Sequence, residues 1–146
     1  MKNALLALGL LAGLASAVDV KVSDTLEFTV HCETSDISPY LHHIYEAANQ
    51  VHTDPEAECY QNSVYEPYCT KIEESKGGRI AICDSKGERV DIGCRQVADM
   101  ARAVADNCSN GVEGAERAGG WVEEWKLTIN GWEMTPAWVE VSVTGR

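Results

Sequence analysis

The sequence predicts an α+β fold: a single-domain α/β sandwich in which an antiparallel sheet carries two helices on one face and disulfides staple the elements together. Three observations lead to this prediction. Strand-like alternation and helix-like spacing follow one another in the order β-α-(β)-β-β-α-β-β. A length of 146 residues suits one domain of ordinary size. Six cysteines, an even number, accompany an acidic composition with a formal net charge of −11.

Residues 1–17 are predicted to be a signal peptide. Lys2 supplies a positive start, residues 4–14 form an apolar run, and Ala15-Ser16-Ala17 places small residues before a cut ahead of Val18. The run is too short to cross a bilayer, since a spanning helix takes about 20 apolar residues. Residues 18–146 are therefore expected to form one secreted domain in the extracellular space, the host apoplast included, without direct membrane insertion.

The cysteines are expected to be structural. Secretion places them in an oxidising compartment, where an even number in a small chain favours disulfides. The chain has no Cys-x-x-Cys pair, so neither a zinc site nor a redox pair is indicated. Spacing alone does not choose among the possible connectivities. All six are predicted to pair: Cys32, Cys59, Cys69, Cys83, Cys94 and Cys108.

The first predicted elements are a strand and a helix. Residues 18–31 contain two runs in which apolar and polar residues alternate, and these runs predict a strand that ends at Cys32. Ser38 followed by Pro39 is typical of a helix N-cap and a first helical position. The apolar residues of that helix recur at spacings of three and four: Leu41, Ile44, Ala48 and Val51.

The polar stretch after this helix has two interpretations. Residues 53–67 are either a long connection or contain a short strand around Val64. The stretch is either an ordered recognition loop or a tether pinned at Cys59 and Cys69. Beyond Gly77-Gly78, residues 79–83 and 88–92 are predicted to be two strands joined by a turn.

The second helix is the clearest element. It is predicted to open at Asp91 or Gly93, and Gly111 is its stop signal. Both ends are expected to be tied through cysteines, because these lie on the apolar stripe. That stripe contains Cys94, Val97, Ala101, Val104 or Ala105, and Cys108.

Residues 121–144 predict a two-stranded antiparallel unit around the hairpin signal Asn130-Gly131. Trp121 and Trp125 share the parity of the apolar residues of their strand, which favours core packing. Trp138 alternates with the valines of its strand and is therefore expected on the opposite face of the sheet from them. Exposed aromatic residues favour interfaces and sugar faces, so Trp132 and Trp138 are the candidate interaction surface.

No catalytic constellation emerges from the sequence, and no cofactor or metal ligand is predicted. His43 or His52, with Glu46 and Arg79, is the set that a ribonuclease-like enzyme needs. The acidic charge argues against nucleic acid as a partner. Asn107-Cys108-Ser109 matches the acceptor pattern for an N-linked glycan.

From Gly78 to Trp132 the order of parts resembles the secreted fungal effectors related to killer toxins and to necrosis-inducing factors. The likeness is carried by the strand 78–83, a helix that opens at Cys94-Arg95-Gln96 and closes at Cys108, a Gly-Gly-Trp, and the strand 125–130. There are fewer cysteines here than in the killer toxins, and no dibasic processing site is present. The resemblance implies an α/β sandwich that acts by binding, as in channel block or host-target engagement, and carries over no catalytic residue.

These observations together predict a monomeric, small cysteine-rich effector or killer-toxin-like protein of a fungus, with a role in virulence. Its expected partner is a host or competitor protein, such as a membrane receptor or channel, and no enzyme activity is expected. Two alternatives stay open: a small secreted hydrolase of the ribonuclease type, and a carbohydrate-binding module that uses Trp132 and Trp138.

Overall fold

A computed structural model describes residues 16–23, 26–51, 54, 56–112, 114–129, 132–134 and 138–143 of the chain. Within these residues the helices are α1 (Leu41–Val51) and α2 (Cys94–Cys108). The strands are β1 (Ser16–Ser23), β2 (Leu26–Cys32), β3 (Glu58–Gln61), β4 (Cys69–Ser75), β5 (Gly78–Cys83), β6 (Val90–Gly93), β7 (Asn110–Val112), β8 (Ala115–Arg117), β9 (Gly120–Ile129), β10 (Trp132–Met134) and β11 (Trp138–Val143). The predicted α+β, disulfide-stapled class is confirmed.

Antiparallel pairing orders the main sheet as β1-β2-β9-β11-β5-β4, with β10 paired to β9. The last strand therefore lies in the middle of the sheet, where Val139 pairs with Ile82 on β5 and with Val122 on β9. The unit predicted over residues 121–144 contains three strands and not two. β9 turns into the short β10, since Ile129 pairs with Trp132 across residues 130 and 131, which lie outside the described residues. The predicted second strand is β11, which does pair antiparallel with β9. β3 pairs with β6, and β7 with β8, in two small separate sheets.

The core lies between one face of the main sheet and both helices. Alternate strand residues such as Phe28, Ile82 and Val122 are buried on this face. Helix α2 buries the whole predicted stripe, and α1 buries Ile44, Ala47, Ala48 and Val51. Among the described residues no helix is long and apolar enough to cross a membrane. Residues 1–15 of the predicted signal peptide lie outside the described residues. The predicted cleavage site before Val18 lies within β1.

Three disulfides connect these elements: Cys32–Cys108, Cys59–Cys94 and Cys69–Cys83. Each cysteine is paired, as predicted. The first two bridges tie the two ends of α2, one to β2 and the other to β3, which confirms that both helix ends are held by cysteines on the buried face.

Several predicted boundaries are wrong for local reasons. Helix α1 begins at Leu41, because Ser38 Oγ accepts a hydrogen bond from the Ser35 amide (2.9 Å) instead of capping the helix. Helix α2 ends at Cys108, and Gly111 lies within β7. Val64 lies in a loop; the short strand of this region is β3.

One predicted strand and one predicted pairing also need correction. The residues before Cys32 form a β1–β2 hairpin in which Val18 pairs with Val30. Strand β5 pairs with β4 across the turn at Lys76-Gly77, whereas the segment predicted to return beside it is β6 and pairs with β3.

The core parity predicted for Trp121 is wrong. Val122 is the buried residue, while Trp121 lies on the opposite face, half-buried and stacked on His31 with ring centroids 5.3 Å apart. A register shift explains the error: Thr29 pairs with Glu123, but Glu27 pairs with Lys126, so β9 holds one extra residue. This bulge reverses the parity along the strand.

Candidate interaction sites

Residues 62–68, here called the interaction loop, connect β3 to β4. Disulfides anchor both flanking strands, since Cys59 on β3 bonds to Cys94 and Cys69 at the start of β4 bonds to Cys83. The loop thus starts and ends close to covalent links with the rest of the domain. This arrangement favours the interpretation of the polar stretch as an ordered loop over that of a tether.

A single buried amide organises the start of the interaction loop. The Gln61 side chain is fully buried, and its Nε2 donates hydrogen bonds to the carbonyl oxygens of Ser63 (3.3 Å) and Glu88 (3.2 Å). Its Oε1 accepts from the Ser63 amide and from Thr70 Oγ1 (3.1 Å). Because these donor and acceptor positions are used, Gln61 pays little desolvation penalty and joins the loop to β4 and to the segment before β6.

The end of the interaction loop is fixed by the backbone. The Tyr68 amide donates to the Tyr65 carbonyl (2.7 Å), and the Asp84 amide donates to the Tyr68 carbonyl (3.1 Å). The Tyr68 ring lies against Gly87, where an added Cβ would come within 2.8 Å of it. Gly87 also has a φ of +72°, so a side chain there is disfavoured by both space and conformation.

Two apolar side chains project from this fixed backbone. Val64 is 70% exposed and Tyr65 is 79% exposed. No other large hydrophobic residue among those whose side chains are described is more than 49% exposed. Tyr60, on the adjacent strand, carries the Arg89 guanidinium 5.0 Å above its ring. Tyrosine and arginine are the residue types that dominate protein-binding hot spots.

A second candidate is an open groove of about 520 Å³ between the start of α1 and β8. Its lining consists of Tyr40, Leu41, His42, Tyr45, Ala115 and Glu116. Tyr40 and Arg117 join the two walls through a β-bridge, and the Arg117 guanidinium lies 4.3 Å from the centroid of the Tyr40 ring. Nη1 of Arg117 also donates to the Ser38 carbonyl (2.6 Å), so this guanidinium helps to fix the groove.

The residues named for a ribonuclease-like site are only partly brought together. The backbone of His43 lies against Gly78 at the start of β5, since an added Cβ on Gly78 would come within 2.9 Å of it. Glu46 Oε2 accepts from Ser75 Oγ (2.9 Å), and its Oε1 accepts from Lys76 Nζ (3.2 Å). Both carboxylate oxygens are thus engaged in contacts with the β4–β5 hairpin. His52 lies outside the described residues.

The protonation equilibria agree with a structural role for this cluster. The hydrogen bond from Ser75, followed by the one from Lys76, lowers the pKa of Glu46 below its ordinary value. Burial, and then the neighbouring charge of His42, lowers the pKa of His43. A carboxylate that is held ionised by two donors is a weak base. Among the described residues no group of three or more His, Cys, Asp or Glu side chains is arranged to hold a metal ion.

The remaining predicted residues occupy separate positions. Trp132 opens β10 and pairs with Ile129, and Trp138 opens β11 and pairs with Cys83; their side chains lie outside the part of the chain that is described. Asn107 is exposed in the last turn of α2, and its Nδ2 donates to the Ala103 carbonyl (2.8 Å).

Sequence reasoning missed both the apolar tip of the interaction loop and the groove. The available signal for the loop was the adjacent apolar pair Val64-Tyr65 inside a polar stretch between two cysteines. The groove combines residues some seventy positions apart, so no local pattern marks it. Comparison of the chain with family models, with curated proteins and with solved structures finds no match.

Proposed function

We propose that this chain is a secreted, cysteine-rich effector or killer-toxin-like protein that binds a host or competitor protein target without catalysing a reaction. The observation that carries the proposal is the interaction loop, which presents Val64 and Tyr65 to solvent on a backbone fixed by Gln61. Three disulfides are compatible with an oxidising, extracellular environment.

The energetics favour binding at this tip. A flexible loop loses conformational entropy when it binds, whereas a loop that is already ordered by hydrogen bonds avoids most of that cost. Full burial of an aliphatic side chain such as that of Val64 contributes about 1.5–3 kcal/mol. Tyr65 adds a large rigid ring with a hydroxyl that can hydrogen-bond at a partly wet interface. The pair therefore has the properties of a small interface anchor.

The test starts from oxidised protein secreted by an expression host. It is infiltrated into host tissue and, in parallel, added to cultures of competing fungi. We expect a response in at least one assay, and we expect the double variant Val64→Ser, Tyr65→Ala to abolish it. The unfolding free energy of this variant should stay within about 0.5 kcal/mol of the parent, because both side chains are exposed.

A matched control separates the loop from general surface hydrophobicity. Ile37 is also exposed and apolar but lies outside the interaction loop, so Ile37→Ser should retain the response. A wild-type protein that is inert in both assays would count against the proposed function. Full activity of the double variant would show that the target is bound elsewhere on the protein.

A further inference from the structure

The groove beside α1 differs from the interaction loop in its polar chemistry. At its Tyr45 end the tyrosine hydroxyl donates its proton to Asp106 Oδ1, and Glu116 lines the same groove. With that proton committed, this end offers a ligand mainly acceptors: the lone pairs of the phenol and the carboxylate oxygens. Groups of this kind recognise a ligand that brings several N–H donors.

We propose that this groove binds an arginine side chain of a basic protein partner. The proposal rests on the proposed function, since it names the chemistry of the protein that is bound. The aliphatic part of an arginine side chain would pack on Leu41 and Ala115, while its planar guanidinium would reach Glu116 and the Tyr45–Asp106 pair. Arginine suits such a site because its guanidinium carries five donors in a fixed plane.

The electrostatics of the groove support a cation. The pKa of Tyr45 is raised to about 12, first by the hydrogen bond to Asp106, then by burial, and then by the negative charges of Asp106 and Glu116. Both carboxylates therefore act on the same hydroxyl; Glu116 lines the groove, and Asp106 contacts the groove-lining Tyr45 through that hydroxyl. The whole chain has a net charge of −11, so its long-range field also draws a basic partner.

The contacts of Arg117 show which groups bind a guanidinium beside the groove. It lies over the Tyr40 ring and donates to the Ser38 carbonyl, so a cation–π contact and a backbone acceptor already hold one such group beside the groove. Its positive charge opposes a second cation, whereas Asp106 and Glu116 together supply two negative charges.

A sugar fits the groove less well than a cation. Carbohydrate recognition uses an open aromatic face together with both donors and acceptors. The Tyr40 ring already contacts the Arg117 guanidinium, is stacked with the His42 ring at 5.9 Å and meets the His43 ring edge-on at 5.5 Å. Arg117 and His42 therefore compete with a pyranose for the faces of this ring, and the Tyr45 end supplies mainly acceptors.

The experiment is a titration of the ¹⁵N-labelled, oxidised protein with a short capped peptide of alternating glycine and arginine, followed by amide chemical shifts. We expect the shifts to concentrate at Leu41, Ala115 and Glu116. Replacing a carboxylate that pairs with a cation at a partly exposed site should weaken binding about fivefold, so Glu116→Gln should raise Kd by that factor. The same peptide with citrulline in place of arginine, which keeps the shape and removes the charge, should cause no shifts at the groove.

The matched control is Glu58→Gln, which removes one exposed carboxylate on β3, outside the groove. It should leave Kd within about twofold, as expected for screened charges at a distance. Equal weakening by both variants would show unspecific attraction to an acidic surface and overturn the proposal. Equal binding of the citrulline peptide, or groove shifts with a chitin oligosaccharide and not with the arginine peptide, would also overturn it.

Failure here is distinguishable from failure of the proposed function. If the arginine peptide does not bind but the infiltrated or fungus-exposed wild-type protein still gives its response, only the groove assignment is lost. If the wild-type protein gives no response while the peptide binds as expected, the effector or toxin activity is lost and the cation site stands.

Discussion

The interaction loop and the groove are both exposed, yet different forces fix them. The loop stands away from the core and is ordered by the buried Gln61 amide and by disulfides on either side. The groove takes its shape from α1, which is anchored in the core through Ile44 and Ala48, and its lining residues Leu41 and Tyr45 pack against the edge of that core. A projecting element needs its own internal hydrogen bonds, whereas a concave site on a helix inherits its rigidity from core packing.

The two regions also differ in the chemistry they present. The loop offers apolar surface at Val64 and Tyr65, and the groove offers acceptors and negative charge at Tyr45, Asp106 and Glu116. Apolar surface contributes mainly to affinity, whereas charge complementarity contributes mainly to specificity and to the association rate. Variants that affect one region and spare the other therefore test whether the regions are independent.

The largest expected effect comes from removing the Cys32–Cys108 bridge, which ties the end of α2 to β2. In the chain-entropy model its sequence separation of 76 corresponds to about 4.5 kcal/mol, and the separation of 14 for Cys69–Cys83 to about 3 kcal/mol. We therefore expect Cys32→Ser with Cys108→Ser to lower the unfolding free energy more than Cys69→Ser with Cys83→Ser, as measured by urea denaturation. The first pair should spare the response that depends on the loop, and the second should weaken it. The opposite order of stabilities would contradict the entropic explanation.

A smaller and more local effect is expected from Gln61→Ala. It leaves the Ser63 amide and the Glu88 carbonyl without their buried partner, at a cost of about 2 kcal/mol in unfolding free energy. The loop should then become a substrate for chymotrypsin after Tyr65, while arginine-peptide binding at the groove stays unchanged. The control is Asn62→Ala, because the Asn62 side chain is exposed and its Oδ1 only competes with Gln61 Oε1 for the single proton of Thr70 Oγ1. A loop that stays protected in Gln61→Ala would show that the disulfides alone hold it.

The contrast between local and long-range information explains what the sequence could predict. Helix α2 was predictable because its buried residues recur at the helical period and include the two cysteines that end it. The place of β11 between β9 and β5 was not, because antiparallel pairing partners carry no mark of their identity in the chain. The prediction that Trp121 faces the core was wrong for the same reason. The bulge in β9 is defined by its pairing with β2 and cannot be recognised from the sequence of β9 alone.

The candidate sites follow the same division. The cysteines and the polar stretch between them were visible in the sequence, but the order of that stretch depends on Gln61, a residue whose burial no local pattern announces. Tyr40 and Tyr45 lie on a predicted helix region, whereas Ala115 and Glu116 come from a short strand in a glycine-rich connection. Only the folded chain brings these two segments together.

The smallest expected effect is a pH dependence on the α1 side of the molecule. Burial and His42 lower the pKa of His43 below 6.5, so between that value and the folded pKa the unfolded chain binds more protons than the folded one. Stability is therefore fully present above pH 6.5 and falls as the pH drops. Lys76 adds to this shift, and Glu46 opposes it.

Glu46 extends the same trend to lower pH. Its hydrogen bonds from Ser75 and Lys76 lower its pKa below 4.5, so its contribution is present above that pH and is lost as the pH falls through the folded pKa. Urea denaturation between pH 7 and pH 3 should show both losses of unfolding free energy. His43→Asn should reduce the loss that begins near pH 6.5. Glu46→Gln should reduce, without removing, the loss at lower pH, because the hydrogen bond from Arg89 also lowers the pKa of Asp91. Chymotrypsin cleavage after Tyr65 should not change over the upper range, because the interaction loop is held by uncharged hydrogen bonds around Gln61. An upper slope that survives in His43→Asn would place the titrating group elsewhere, and a loop that opens together with α1 would show that the two regions are coupled.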